Sequence, residues 1–135
     1  MAVPALWPYH AVLMITGLLL LSTGMLIARY MKNRHWWLRA HKMMGISGAI
    51  FVISGLVMAI YMVSLSTGVH FRVPHAYLGS IIFIFVLMTP IWGYAQFKSV
   101  SEAVKIRIIH RWSGRITLAL IFINIISGLS LEGII

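Results

Sequence analysis

The amino-acid sequence predicts an all-α integral membrane protein, a four-helix bundle with both termini on the outer side of the bilayer. Three observations predict it. Of the 135 residues, 61% are hydrophobic and only 10% are charged, with a mean hydropathy of +0.95. An ordinary soluble domain carries roughly 25% charged residues, and polar residues this scarce could not cover a soluble core. Four stretches carry no charge: Ala11 to Ala28, Met43 to Val69, Val73 to Phe97 and Ile116 to Leu131. A span needs about 20 mostly apolar residues, and each stretch reaches that length with its flanks. Finally, ten of the eleven basic residues fall on one side of the resulting topology.

The helices are expected at about 8–31, 37–66, 74–98 and 104–131, within one domain over 1–135. None shows the period-two alternation of a β-barrel strand. The segment before the first helix lacks the basic n-region and small-residue cleavage site of a signal peptide, so that helix is expected to be retained. The loop between helices 1 and 2 holds Arg29, Lys32, Arg34, Arg39 and Lys42. The loop between helices 3 and 4 and the start of helix 4 hold Lys98, Lys105, Arg107, Arg111 and Arg115. The loop between helices 2 and 3 holds only Arg72. This is the positive-inside pattern, so the long basic loops are expected in the cytoplasm, in a bacterial inner membrane. The net charge of +9 therefore reflects topology and anionic lipid rather than nucleic acid. Trp7, Tyr9, Trp36, Trp37, Tyr94 and Trp112 lie near helix ends, as an interfacial aromatic belt requires. There is no cysteine, which excludes iron–sulfur clusters, covalent CXXCH haem attachment and disulfides.

The histidines carry the functional signal. His35 and His70 fall in loops, but His10, His41, His75 and His110 each lie at or just inside the start of a different helix. Alternation of the chain puts His10 and His75 near the outer face and His41 and His110 near the inner face. Taken singly, a histidine at a helix end is more often an interfacial residue than a ligand. Their glycines argue otherwise. Gly45, Gly79 and Gly114 follow His41, His75 and His110 by four residues, on the same helix face. Gly17 and Gly24 follow His10 by seven and fourteen, Gly48 and Gly55 follow His41 likewise, and Gly93 and Gly128 follow His75 and His110 by eighteen. All remain within roughly 40° of the histidine face. Close helix packing explains any one of these glycines. A flat tetrapyrrole in each leaflet, held by two histidines and resting on glycines from the far ends of the other helices, explains their common phase.

Two non-covalent haem b groups with bis-histidine ligation are therefore expected: His10 with His75, and His41 with His110. Two imidazoles fill both axial positions of one iron, so such a site passes single electrons and binds no substrate at the metal. Fourteen residues or so of helix would put the two iron levels roughly 20–25 Å apart. Arg29, Arg39, Lys42, Arg111 and Arg115 are placed to pair with haem propionates on the inner side, and Arg72, with Tyr9, His70 and Asn124, on the outer side. Two other classes accommodate part of the pattern. A histidine-based metal transporter would use the leaflet pairs as entry and exit sites, but the spans lack the midplane carboxylate such carriers usually need. A structural subunit without cofactor leaves the histidine–glycine phasing unexplained.

The strings Gly24-Met-Leu-Ile-Ala-Arg-Tyr30, Trp37-Leu-Arg-Ala-His41, His75-Ala-Tyr-Leu-Gly79 and His110-Arg-Trp-Ser-Gly-Arg115, with Asn124 and Gly128, resemble cytochrome b561. The resemblance covers nearly the whole chain, and it is greatest to the b561 core attached to extracellular DOMON domains. It implies that the four histidines are haem ligands. It implies electron transfer from a cytoplasmic reductant, such as ascorbate or a quinol, to an outer acceptor, such as a ferric chelate or a periplasmic redox protein. It also implies a homodimer. The alternative within this chemistry is a small haem-binding membrane anchor or quinol-oxidising subunit of a larger redox complex.

Overall fold

The computed structural model describes residues 5–135. Residues 1–4, part of the segment read for signal-peptide features, lie outside the described residues. The described residues form four α-helices: α1 (Trp7–Tyr30), α2 (Trp37–Leu65), α3 (Pro74–Ala95) and α4 (Ala103–Leu131). No strand occurs among them. The helices have 24, 29, 22 and 29 residues, and all four are long and apolar enough to cross a membrane.

The ends follow local chemistry. Pro8 and Pro74 occupy the first turns of α1 and α3, where a missing N–H costs nothing. The third helix stops at Ala95, short of the expected 98. There Gln96 N–H turns back to Trp92 O and Phe97 N–H to Tyr94 O, so the apolar run outlasts the helix. Pro90 sits inside α3 and gives no N–H to the carbonyl one turn earlier. Beside it the Thr89 hydroxyl donates to Phe85 O at 2.7 Å.

The chain runs up and down. His10, Gly55, His75 and Asn124 come together at one end, and Gly24, His41, Thr89 and His110 at the other. The start of α1 and the end of α4 therefore belong to the His10/His75 end. α1 lies along α2, and α3 lies along α4; α1 meets α4 and α2 meets α3 over shorter stretches, while α1 and α3, like α2 and α4, stand at opposite corners. The α1–α2 crossing is close because it is built on glycine. A Cβ at Gly17 would lie 2.6 Å from Val52 Cγ2, and one at Gly48 would lie 2.7 Å from Leu21 Cγ. Small residues let backbones approach in lipid, where packing replaces the hydrophobic drive.

The core is thin. Met14, Val52, Ile82, Val86 and Ile121 form one buried layer drawn from all four helices. Around it, large apolar side chains such as Val12, Leu19, Ile50, Ile84 and Phe122 point outward on every side. A bundle apolar all round is suited to hydrocarbon, not water.

Candidate cofactor-binding site

Each of the four helix-start histidines donates a hydrogen bond from Nδ1 to a backbone carbonyl of a neighbouring helix. His10 bonds Gly55 O at 2.8 Å and His41 bonds Gly24 O at 2.8 Å. His75 bonds Asn124 O at 3.0 Å and His110 bonds Thr89 O at 2.9 Å. A carbonyl oxygen can only accept, so Nδ1 carries a proton, and in the neutral ring Nε2 is the nitrogen with the lone pair. Second-sphere contacts of this kind orient imidazoles that bind metal.

The rings then meet in pairs across the bundle. The His10 and His75 centroids are 6.1 Å apart with ring planes at 85°. The His41 and His110 centroids are 6.0 Å apart with planes at 82°. An iron between two imidazoles would need two bonds of about 2 Å plus roughly 1.1 Å from each nitrogen to its ring centre, about 6 Å in all. The spacing fits one metal ion on a shared axis. Among the described residues no cluster of three or more histidines and carboxylates comes together, so a bare cation would find only two protein ligands.

Space for a flat ring fits as well. A Cβ at Gly45 would meet nothing within 4 Å. One at Gly79 would come no nearer than 3.5 Å to Asn124 Nδ2, and one at Gly114 no nearer than 3.8 Å to Thr89 Cγ2. These are the glycines four residues beyond a histidine. On α1 the corresponding residue is Met14, whose Sδ would be 2.8 Å from a Cβ at Gly55.

The more distant glycines depart from expectation. Gly17 and Gly48 serve the α1–α2 crossing, and a Cβ at Gly24 would meet Met44 Cβ at 3.2 Å. Gly93 and Gly128 lie against histidine rings. A Cβ at Gly93 would sit 3.0 Å from His110 Cε1, and one at Gly128 would sit 2.9 Å from His75 Cε1. They seat the imidazoles of the adjacent helix, not the plane of a second ring. The common phase is real, but its cause is the seam within each helix pair.

Thr89 and Asn124 are acceptors that residue type did not single out. The interval does. Gly24, Gly55, Thr89 and Asn124 lie fourteen residues beyond His10, His41, His75 and His110, respectively. Asn124 is only 3% exposed and its Oδ1 has no partner; it is buried between helices, not set at the rim as an outer polar contact. At the other end, Thr89 and Ser113 share a hydroxyl hydrogen bond, and the Thr117 hydroxyl donates to Ser113 O at 2.7 Å.

The basic residues sit outside these clusters. Arg29, Arg39, Lys42, Arg111 and Arg115 are exposed at the His41/His110 end, and Arg72 is exposed in the α2–α3 loop. Lys42 Nζ lies 4.9 Å from the Phe97 ring centre and the Arg115 guanidinium 5.1 Å from that of Trp112. Arg29 turns toward Tyr30. His70 faces the Ser64 hydroxyl at 3.4 Å, away from both pairs.

The sequence pattern that describes eukaryotic cytochrome b561 matches residues 9–134, which include all four helix-start histidines. No curated protein and no solved structure matches the chain. The chain belongs to the cytochrome b561 family, membrane proteins that bind haem b and carry electrons across the bilayer.

Proposed function

We propose that this chain holds two haem b groups without covalent attachment and moves single electrons between the faces of its membrane. His10 and His75 are the axial ligands of one haem, and His41 and His110 those of the other. The observation that carries this reading is the pair of imidazole couples about 6 Å apart, each ring with Nδ1 tied to a carbonyl and Nε2 left free of that bond. When bound, haem supplies a reversible one-electron couple. With two histidines holding each haem, no position at the metal would be left for oxygen or a substrate. Gly45, Gly79 and Gly114 leave the faces clear, and the apolar helices exclude water.

The charge pattern supports placing the His41/His110 end, with Arg29, Arg39, Lys42 and Arg115, toward the cytoplasm, and Arg72 outside. The rule orients the chain alike in the bacterial inner membrane expected from sequence and in a eukaryotic membrane. Electrons enter from an anionic reductant such as ascorbate or from a quinol, and leave to an outer ferric chelate or redox protein. A homodimer is the assembly implied by the family resemblance.

The test is a haem assay with visible spectra on purified protein. Two haems per chain are expected, with a Soret band and a sharp reduced α-band. His41→Ala and His110→Ala should each remove the same haem, and His10→Ala and His75→Ala the other. A wild-type chain without a Soret band would end this reading, and a shared loss between His10 and His41 would end the pairing.

A further inference from the structure

Every helix contact built on glycine in this bundle lies inside one of two hairpins. The α1–α2 hairpin is tied by His10 to Gly55 O, by His41 to Gly24 O, and by the Gly17/Gly48 crossing. The α3–α4 hairpin is tied by His75 to Asn124 O, by His110 to Thr89 O, and by the hydroxyls of Thr89 and Ser113. The Gly93 and Gly128 seats for the histidine rings are internal to that second hairpin.

Between the hairpins the ties are few. Among the described residues no side-chain hydrogen bond joins α1 or α2 to α3 or α4. The remaining links are apolar packing, centred on the layer of Met14, Val52, Ile82, Val86 and Ile121 with partly buried neighbours such as Leu18, Ile53, Leu78 and Leu120, and the exposed Lys42–Phe97 contact. In a bilayer that layer gives little net drive, because lipid tails are as apolar as the side chains they would replace. What does cross the gap is the two imidazole couples. His10 and His41 belong to one hairpin; His75 and His110 belong to the other.

Resting on the reading of two bis-histidine haems, we infer that the hairpins are separate folding units and that the histidine pairs are the clasp between them. Haem held by both couples would put two metal-centred bridges across the seam, one at each histidine pair. Without them the hairpins remain inserted and internally intact but part from one another.

The absence of cysteine makes the test direct. Spin labels are placed on the full chain in lipid nanodiscs at Ile50→Cys with Ile84→Cys, across the seam, and at Ile84→Cys with Ile116→Cys, inside the second hairpin. All three positions are exposed to lipid, and Ile84 and Ile116 flank one groove of α3 and α4. Distances are measured in haem-loaded protein, in protein from haem-starved cells, and in the His10→Ala/His41→Ala double variant, which leaves the second hairpin unaltered. Both distributions should be narrow when haem is bound. In the two haem-free samples the Ile50–Ile84 distribution should broaden and shift outward, while Ile84–Ile116 stays narrow. If Ile50–Ile84 stays narrow without haem, direct packing holds the bundle and the inference fails. If both distributions broaden, the hairpins are not separate units and it fails too. The Soret band of the same samples separates this from the underlying reading. Its absence from wild-type protein refutes both, whereas its presence with unmoved distances refutes the clasp alone.

Discussion

At the scale of the residue, Gly45 gives the cleanest test of the cleft. It lies four residues beyond His41, and no protein atom outside its own helix would meet a side chain begun there. Gly45→Leu should therefore leave folding intact and still displace the haem of the His41/His110 pair, lowering the content from two per chain to one. Full retention of both haems in that variant would mean that Gly45 faces lipid. Gly128→Ala opposes a different neighbour, since its Cβ would press on the His75 ring at 2.9 Å. The His75 ring would have to yield, and haem held by the His10/His75 pair should loosen. Binding of both haems with unchanged spectra would show that the ring moves freely.

At the scale of the element, the hairpins depend on their seams. A Cβ at Gly48 would be 3.0 Å from the backbone nitrogen of Leu21, which cannot step aside as a side chain can. Gly48→Leu should cost about 1–3 kcal/mol by overpacking. It should also weaken both haems together, because the bonds from His10 to Gly55 and from His41 to Gly24 share that crossing. Denaturant titration followed at the Soret band reads both effects, and loss of one haem alone would contradict the shared crossing. The spans and the histidine couples are legible in the sequence, since hydropathy and helical phase are local properties and alternation of the chain does the rest. The acceptors are not. A backbone carbonyl leaves no mark in residue type, so it is only through their interval from His75 and His110 that Thr89 and Asn124 stand out as carbonyl acceptors. The glycines of Gly17, Gly48, Gly93 and Gly128 mislead for a related reason. The face that carries a histidine is also the face that packs on the neighbouring helix, and phase alone does not tell a ring from a seam.

At the scale of the whole molecule, the charge is gathered at one end. Ten of the eleven basic residues belong to the His41/His110 end, with Glu102 as the acidic residue between them. Such a rim attracts anions and would concentrate an anionic reductant near the His41/His110 pair. Arg39 is exposed and bonds to no part of the cleft. Arg39→Gln should leave the spectrum intact and slow reduction by an anionic donor, and the wild-type rate should fall steeply with salt. Stopped-flow rates that ignore both changes would confine the rim to topology and lipid, and move the entry point to the end near His75 and Arg72.

The fourteen-residue interval between each histidine and the acceptor on its own helix limits how this chain can change length. Fourteen residues of helix rise about 21 Å and return to nearly the same face. One residue inserted inside that interval would turn everything beyond it by about 100°, carrying the carbonyl off its imidazole in one leaflet. All four helices carry the interval, so none has a tolerant stretch between its two layers. Insertions and deletions are thus confined to the loops and to the turns outside the interval. A thicker bilayer has to be met by tilt or by longer flanks, never by spreading the two layers apart.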